Sequence, residues 1–452
     1  MQRNIRSRRR HDEWGQTIIL VAISLVSLLA MAALAIDVVT LYAARSEIQR
    51  AADAAALAGA KAIADSGITT LLLTDPNFTT VQTWATTAAT NQVNGVLQNN
   101  LISGQAPTLV SDTIDWTLQG NPHITVKLQS NNLPSFFSKM WGGAGTVVTA
   151  TATAEAYNPA NVQNFTPIAP KAVKPWLVAN IDPNTANPFI TTSTGNVETS
   201  LLPVIGETLN LTADCQPPGL GCTLLSPGNP PGIGPANSLP NYPQVEYVPA
   251  LVTPPTSPNP NVCPSTCTGA TDYEQSIECA DVSTSYQVVS CGGGAANTQW
   301  DNTVYPGGLT GLSALGAECL IHATSHGNNK GQDKLDNPGP WPISPMQIRA
   351  ESNLFLQSGH LVTTSTSIVT IPIIDNTPAN FQAVSPYNVT VVGFLQAFIN
   401  EVRGGNPNHQ GDINVTVLNI AGCSNSSTNS GITPVVGGSG TSPIPVRLIT
   451  PP

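Results

Sequence analysis

Charged and aromatic side chains are scarce in this 452-residue sequence, at 10% and 5% of all residues. Neutral polar residues must therefore supply most of the solubility, and a chain rich in Thr, Asn, Ser, Pro and Gly suits short strands and turns. Basic residues are fewer than acidic ones, 17 against 27, which gives a formal net charge of −10. Because a phosphate backbone is bound by clustered Lys and Arg, this balance argues against nucleic acid as a partner.

Sequence patterns of catalysis are lacking as well. The chain has no G-x-S-x-G motif, and no nucleophile and base can be paired from their spacing. The glycines at 292–294 are not followed by Lys and Ser or Thr, so a phosphate-binding loop is unsupported. We therefore expect no enzymatic activity and no cofactor, and keep an exported hydrolase as an alternative.

One long apolar run is present, at residues 17–36. It has no charged residue, and a helix of that length spans about 30 Å, the thickness of a hydrocarbon core. Five arginines lie within the first ten residues and Asp37 follows the run directly, so the positive-inside rule predicts a cytoplasmic tail at 1–16 and an extracytoplasmic bulk. A cleaved secretory signal is the alternative, but the run exceeds the usual apolar length of roughly 7 to 15 residues.

The helix is expected to continue beyond the membrane to about Asp65. Residues 37–65 contain no Pro, one Gly and many strong helix formers. Ala52, Ala56 and Ala60 recur every four residues and form a smooth face on which another backbone can pack closely. Two interpretations of this face stay open: it packs on the protein's own globular part, or it packs on another subunit.

Residues 37–157 are predicted to form a small α+β unit that includes this helix. In chain order we expect a second helix at 76–98 with Asp75 as its N-cap, a hairpin of strands 113–119 and 123–129, a short helix at 133–141 and a strand at 146–158. The predicted fold class is thus α+β: a long N-terminal helix, a small α+β unit and a β-rich exported region that is rich in Pro and Gly and contains disulfides.

The composition changes after residue 157. Residues 217–260 contain 13 prolines, too many for a helix or a central strand, so this segment is predicted to be a linker within a Pro- and Cys-rich region at 158–320. The C-terminal region at 321–452 is predicted to be β-rich, with strands at 366–375, 388–402, 413–423 and 445–450.

All eight cysteines follow the apolar run. Because their number is even and the exported side of a membrane is oxidising, we expect disulfides, although many pairings are possible. The disulfide candidates are Cys215, Cys222, Cys263, Cys267, Cys279, Cys291, Cys319 and Cys423.

Two patterns resemble metal sites. Asp281, Ser283 and Ser285 spell D-x-S-x-S, the metal motif of von Willebrand A domains, but no buried apolar strand precedes them. A metal-dependent adhesin is therefore an alternative, and a surface loop or strand is favoured. Cys319 and two following histidines form C-x2-H-x3-H without a fourth ligand nearby, so we expect no bound metal there.

The residues from Gly15 to Ala60 resemble the N-terminal segment of the TadG-like proteins of bacterial Flp pilus-assembly loci. The resemblance implies a bacterial cell membrane protein that crosses the bilayer once, has a pilin-like unit at 37–157, and contacts membrane lipid and other Tad pilus-assembly or pilin-like proteins. It implies no catalytic residue. The predicted interaction helix comprises Asp37, Tyr42, Arg45, Gln49, Ala52, Asp53, Ala56, Gly59 and Ala60.

The sequence departs from pilins and TadE-like proteins at one position. Those proteins have a Glu five residues after the processed Gly, and here that position is Leu20. An acidic group within a membrane is expensive and is kept for a partner. Its absence disfavours polymerisation as a processed pilin and favours an uncleaved accessory protein, while processing after Gly15 stays open.

Overall fold

The computed structural model describes residues 9–117, 121–133, 146–158, 168–170, 173–193, 195–198, 204–213, 230–234, 243–252, 271–278, 298–304, 306–307, 311–323, 329–336, 345–362, 364–382, 385–403, 411–423, 435–436 and 443–449. The helices among them are α1 (Arg9–Asp65), α2 (Phe78–Asn99), α3 (Asp272–Glu278) and α4 (Leu312–Leu320), with a 3-10 turn at Ile68–Thr70.

The strands in the described residues are β1 (Thr108–Asp115), β2 (His123–Leu133), β3 (Thr146–Ala156), β4 (Ile168–Ala169), β5 (Trp176–Ala179), β6 (Thr208–Ala213), β7 (Gln244–Pro249), β8 (Thr298–Gln299), β9 (Asn329–Lys330), β10 (Asp333–Asp336), β11 (Gln347–Ala350), β12 (Ile368–Ile374), β13 (Asn388–Val389), β14 (Val391–Arg403), β15 (Asp412–Gly422), β16 (Val435–Val436) and β17 (Val446–Ile449).

Helix α1 is 57 residues long and ends at Asp65, which confirms that the apolar run continues beyond Ile36 as one helix. Its most apolar 18 residues have a mean hydropathy of 2.8, and none of them is buried. The hydroxyls of Ser24 and Ser27 donate to the carbonyls of Val21 and Ile23 and are satisfied within the helix. Among the described residues, α1 is the one helix long and apolar enough to cross a membrane.

The outer half of α1 packs against α2 and against a sheet of order β1-β2-β3-β17. Strands β1 and β2 form the predicted hairpin, with Asp115 opposite His123, but β1 begins at Thr108 and ends at Asp115, earlier than the predicted 113–119. The second helix is confirmed, but its N-cap is Asn77, so the assignment of Asp75 was wrong. Asp75 Oδ1 instead accepts from Asn77 N at 2.7 Å, because a short Asp side chain readily closes a turn with the backbone two residues on.

Strand β17 brings the far end of the described chain back to this N-terminal sheet. It pairs antiparallel with the last residues of β3, with Val446 opposite Ala156 and Ile449 opposite Thr153. The strand predicted at 445–450 is therefore present. The predicted short helix at 133–141 lies outside the described residues except for Leu133, which ends β2.

Six strands form a closed ring of hydrogen-bonded pairs, a small barrel. The order is β12-β5-β7-β6-β15-β14, and β14 pairs with β12 to close the ring. A closed ring leaves no strand edge along its circumference. One core fills it, with Leu211, Val245, Ile371 and Val415 all fully buried. The barrel takes strands from both sides of residue 320.

Strand β7 corrects the prediction of a linker over 217–260. It pairs with β5 on one side and β6 on the other, so a central strand lies within the proline-rich segment. The prolines fit because they act as acceptors: the carbonyls of Pro243 and Pro249 receive the N–H groups of Asn210 and Asp301. Proline lacks the N–H donor but keeps its carbonyl, so at the end of a strand it can still accept a hydrogen bond.

Hydrogen bonds join the barrel to the end of α1. Asn158 Nδ2 donates to the carbonyls of Thr69 and Ile420, at 3.0 and 3.1 Å. Thr70 Oγ1 lies 3.4 Å from both the N and the O of Ile420. The 3-10 turn after α1 therefore contacts β15 directly.

Candidate interaction helix

The small residues of α1 form part of the protein's own core. Ala52, Ala56 and Ala60 are each 0% exposed. They belong to the same core cluster as Val93 of α2 and Ile124 of β2. Of the two interpretations left open by the sequence, packing on the chain's own globular part is the one that these contacts satisfy.

Gly59 shows how closely the elements approach. A Cβ at this position would lie 2.5 Å from Ile124 Cδ1 and 3.2 Å from Val93 Cγ2. Atoms at 2.5 Å overlap, so a larger side chain would push the sheet or α2 away from α1. A side chain at residue 59 therefore fits only if the end of the Ile124 side chain moves away.

Tyr42, Arg45 and Gln49 lie earlier along α1 than the buried alanines, and Gln49 Nε2 also lies 3.4 Å from the carbonyl oxygen of Thr151 on β3. Tyr42 is 71% exposed, and Arg45 and Gln49 are exposed as well. Together with Val38, which is 43% exposed, they are spaced at intervals of four, three and four residues, which places them along one side of a helix. We call Val38, Tyr42, Arg45 and Gln49 the outer stripe.

The polar contacts of this part of α1 include no ion pair of its arginines among the described residues. Gln49 Nε2 donates to Asp53 Oδ1 at 2.9 Å, and Glu47 Oε2 accepts from Ser103 N at 3.0 Å. Within the part of the chain that the structure describes, Arg45 and Arg50 form no ion pair. Asp37, directly after the apolar run, is only 8% exposed.

The predicted metal and disulfide positions are described only in part. Asp281, Ser283 and Ser285 lie outside the described residues, as do six of the eight cysteines. Cys319 and Cys423 are both disulfide-bonded, so the thiolate that the C-x2-H-x3-H pattern would need is not free. The described residues contain no group of three or more His, Cys, Asp or Glu that could hold a metal ion. The pairing of the cysteines stays a prediction.

One buried and one half-buried titratable group were not singled out from the sequence. Lys174 is 1% exposed, and its Nζ donates to the carbonyl of Ile277 at 2.8 Å; burial lowers the pKa of this amine to about 7. Burial, and secondarily the charge of Asp182, raises the pKa of Glu207 to about 8. Sequence gives no signal for either, because both burials depend on the closure of the barrel.

A row of three charged or titratable side chains crosses the N-terminal sheet. The carboxylate of Glu155 on β3, 3% exposed, lies 3.1 Å from His123 Nε2 on β2 and also contacts Arg447 on β17. The Arg447 guanidinium lies over the ring of Tyr157, 5.4 Å from its centroid. Since these residues face one another across the strands, Glu155 ties the last strand to the hairpin.

The first half of α1 is an exposed apolar helix and its second half is the central element of an α+β unit, which is the architecture of a membrane-anchored helical stem. Residues 15–62 match the Tad family model, Flp pilus-assembly TadE/G-like. The match covers the apolar run and the residues that follow it, and it ends within α1. Comparisons with curated proteins and with solved structures give no match.

Proposed function

We propose that this protein is a membrane-anchored, non-catalytic component of Flp pilus assembly or of surface attachment, with its bulk outside the cytoplasm. The observation that carries the proposal is α1 itself, an exposed apolar helix that continues without a break into the folded part and matches the TadE/G-like family over residues 15–62. The arginines ahead of the apolar run support a cytoplasmic N-terminus.

The outer stripe is the surface that this function assigns to a protein partner. Its tyrosine and arginine are residue types enriched at the centres of interfaces, and both are exposed directly beyond the apolar run. The partner is another TadE/G-like or pilin-like stem, whose own helix leaves the same membrane parallel to α1. The buried alanines are unsuited to this role because α2 and the sheet already cover them.

Co-purification from detergent-solubilised membranes tests the stripe. Tyr42→Ala combined with Arg45→Ala should reduce recovery of TadE/G-like partners at least tenfold, since an interface hot spot is worth roughly 2 kcal/mol or more. Thr86→Ala with Thr87→Ala, at exposed positions of α2, is the matched control and should change nothing. Equal recovery with all three proteins, at equal thermal stability, would remove the stripe from the proposal.

The alanine face has a distinguishable outcome. Ala52→Leu with Ala56→Leu inserts bulk into a filled core, so it should lower the free energy of unfolding by about 1 to 3 kcal/mol per site. Partner recovery should then fall only in proportion to the loss of folded protein. A stable double variant that loses its partners would reassign the partner contact to this face.

A further inference from the structure

The loop after β11 exposes three consecutive apolar side chains. Leu354 is 84% exposed, Phe355 91% and Leu356 40%. We call these three residues the apolar tip. Isolated apolar residues are common on protein surfaces, but an exposed Leu-Phe-Leu sequence at the end of a loop leaves much of its apolar area in water, and such surfaces mark protein or membrane contacts.

Hydrogen bonds hold the tip in place. Asn353 Oδ1 accepts from the backbone N of Phe355 at 2.9 Å and of Leu356 at 3.2 Å. Asn353 Nδ2 donates to Asp333 Oδ1 at 2.9 Å, which fixes the loop to β10. Gly359 N donates to the carbonyl of Ala350 and closes the base of the loop. The tip is therefore presented with the N–H groups of Phe355 and Leu356 already bonded.

We propose that the apolar tip inserts into the surface of a second phospholipid bilayer, apposed to the one that holds α1. The tip projects, so a protein partner would have to supply a fitted cleft, whereas a lipid surface accepts a projecting apolar group without one. The hydrogen bonds that Asn353 accepts also support a lipid partner, because a backbone N–H that enters a bilayer must be satisfied within the protein.

The segment around the tip does not share the acidic balance of the whole chain. The chain carries a formal net charge of −10. Near the tip, Asp336 pairs with Arg349 and Glu401 pairs with Arg403, while the carboxylate of Asp333 accepts two hydrogen bonds. The exposed charged and titratable side chains left on segment 329–361 are Lys330, Lys334, Glu351 and His360. With Lys330, Lys334 and Arg349 against Asp333, Asp336 and Glu351, segment 329–361 is formally neutral, so it adds no negative charge that an anionic headgroup layer would repel.

The register of the barrel places the tip away from the anchored bilayer. The end of α1 reaches the barrel at Ile420, which lies opposite Leu395 of β14. The strand that leads to β10 pairs with β14 at Val402, about 20 Å further along that strand at ~3.3 Å per residue. The tip thus belongs to the end of the barrel opposite the junction with the membrane helix.

The test uses the full chain reconstituted into donor vesicles, with acceptor vesicles of phosphatidylcholine and phosphatidylglycerol that carry a fluorescent lipid. Acceptor vesicles should co-float with donors. Leu354→Ser with Phe355→Ser should reduce their capture at least tenfold, because burying one large apolar side chain is worth roughly a factor of ten. Leu101→Ser, at a 52% exposed leucine of the N-terminal unit, is the matched control and should leave capture unchanged.

Site-specific quenching identifies the bilayer. The additional fluorescence of Phe355→Trp should be quenched by brominated lipid in the acceptor vesicles, and that of Leu101→Trp should not. Absence of capture by the unmodified chain, equal capture by the double variant, or quenching from the donor bilayer alone would each overturn the proposal. The outer stripe is unaltered in all of these variants, so partner recovery in the co-purification assay is judged separately.

Discussion

Gly59 and Gly95 lie on neighbouring helices and differ only in their surroundings. A side chain at Gly59 meets Ile124 and Val93, whereas one at Gly95 meets nothing within 4 Å. Gly59→Leu should lower the free energy of unfolding by about 1 to 3 kcal/mol through overpacking. Gly95→Ala should raise it by roughly 0.5 to 1 kcal/mol, because Ala is the better helix former.

Chemical denaturation of the detergent-solubilised chain, followed by tryptophan fluorescence, measures both changes. Gly95→Leu is the control for side-chain size, since the space around residue 95 accommodates it. Equal destabilisation by leucine at the two positions would show that α1 does not approach the sheet as closely as the contact with Ile124 requires.

Glu207 and Lys174 make the stability of the barrel depend on pH in opposite directions. Because the folded state raises the pKa of Glu207 from 4.5 to about 8, the folded protein holds a proton that the unfolded chain has released. Its contribution to the free energy of unfolding is lost as pH rises from about 4.5 to 8. The pKa of Lys174 falls from 10.5 to about 7, so stability rises with pH between those values.

Denaturation midpoints measured across pH 4.5 to 10.5 should resolve the two groups. Glu207→Gln should flatten the decline between about pH 4.5 and 7, where Lys174 stays protonated in both states. Lys174→Met should flatten the rise above about pH 8. The exposed Glu351→Gln serves as a control for the loss of one acid. A decline that survives Glu207→Gln would contradict the assignment.

At the scale of elements, sequence periodicity predicted those helices and strands whose formation depends on residues nearby in the chain. Helix α1, helix α2, the β1–β2 hairpin and the long strands near the C-terminus follow from helix formers and alternation. Strand β7 was not predicted because the many prolines of the segment argue against a central strand. Near this strand, however, they lie only at its two ends, at Pro243 and Pro249. The strand that pairs with β17 could not be predicted, because the sequence of a four-residue strand does not specify the sheet that it joins.

Arg447 should be the strongest single contact of β17. Its partner Glu155 is 4% exposed in its side chain, and a buried carboxylate that loses a cation costs about 1 to 3 kcal/mol or more. Arg447→Met should therefore accelerate hydrogen exchange at residues 446–449 and 153–156. Arg349→Met breaks a pair whose members are 38% and 42% exposed, so its effect should stay within about 1 kcal/mol. Unchanged exchange after Arg447→Met would show that backbone pairing alone holds β17.

At the scale of the whole molecule, the barrel was the part least accessible from sequence. Its ring joins β5 to β12 and β6 to β15, pairs separated by roughly 200 residues. Local pattern does not encode such pairings, and the buried Lys174 and Glu207 depend on them. The small α+β unit was accessible because its helices and hairpin are consecutive.

We propose that the barrel strands of 158–320 and 321–452 form one folded unit, because both predicted regions contribute strands to the same ring, while β17 returns to the N-terminal sheet. The fragment 158–320 alone should then lack a cooperative thermal transition, since it holds only three of the six barrel strands. Adding the fragment 321–452 should restore protease resistance. Circular dichroism and limited proteolysis measure this, and a cooperative transition in the isolated first fragment would favour two separate domains.

The return of β17 to β3 also sets an order for biogenesis. A chain made from its N-terminus presents α1, α2 and β1 to β3 early, yet the sheet that they share is completed only by residues 446–449. The barrel similarly waits for β15. Non-local pairings are slow to form and leave strand edges open meanwhile, so the nascent protein passes through a long interval in which Thr153 to Glu155 pair with β2 but their other edge, later covered by β17, is open. Quality control by chaperones and proteases would act during that interval.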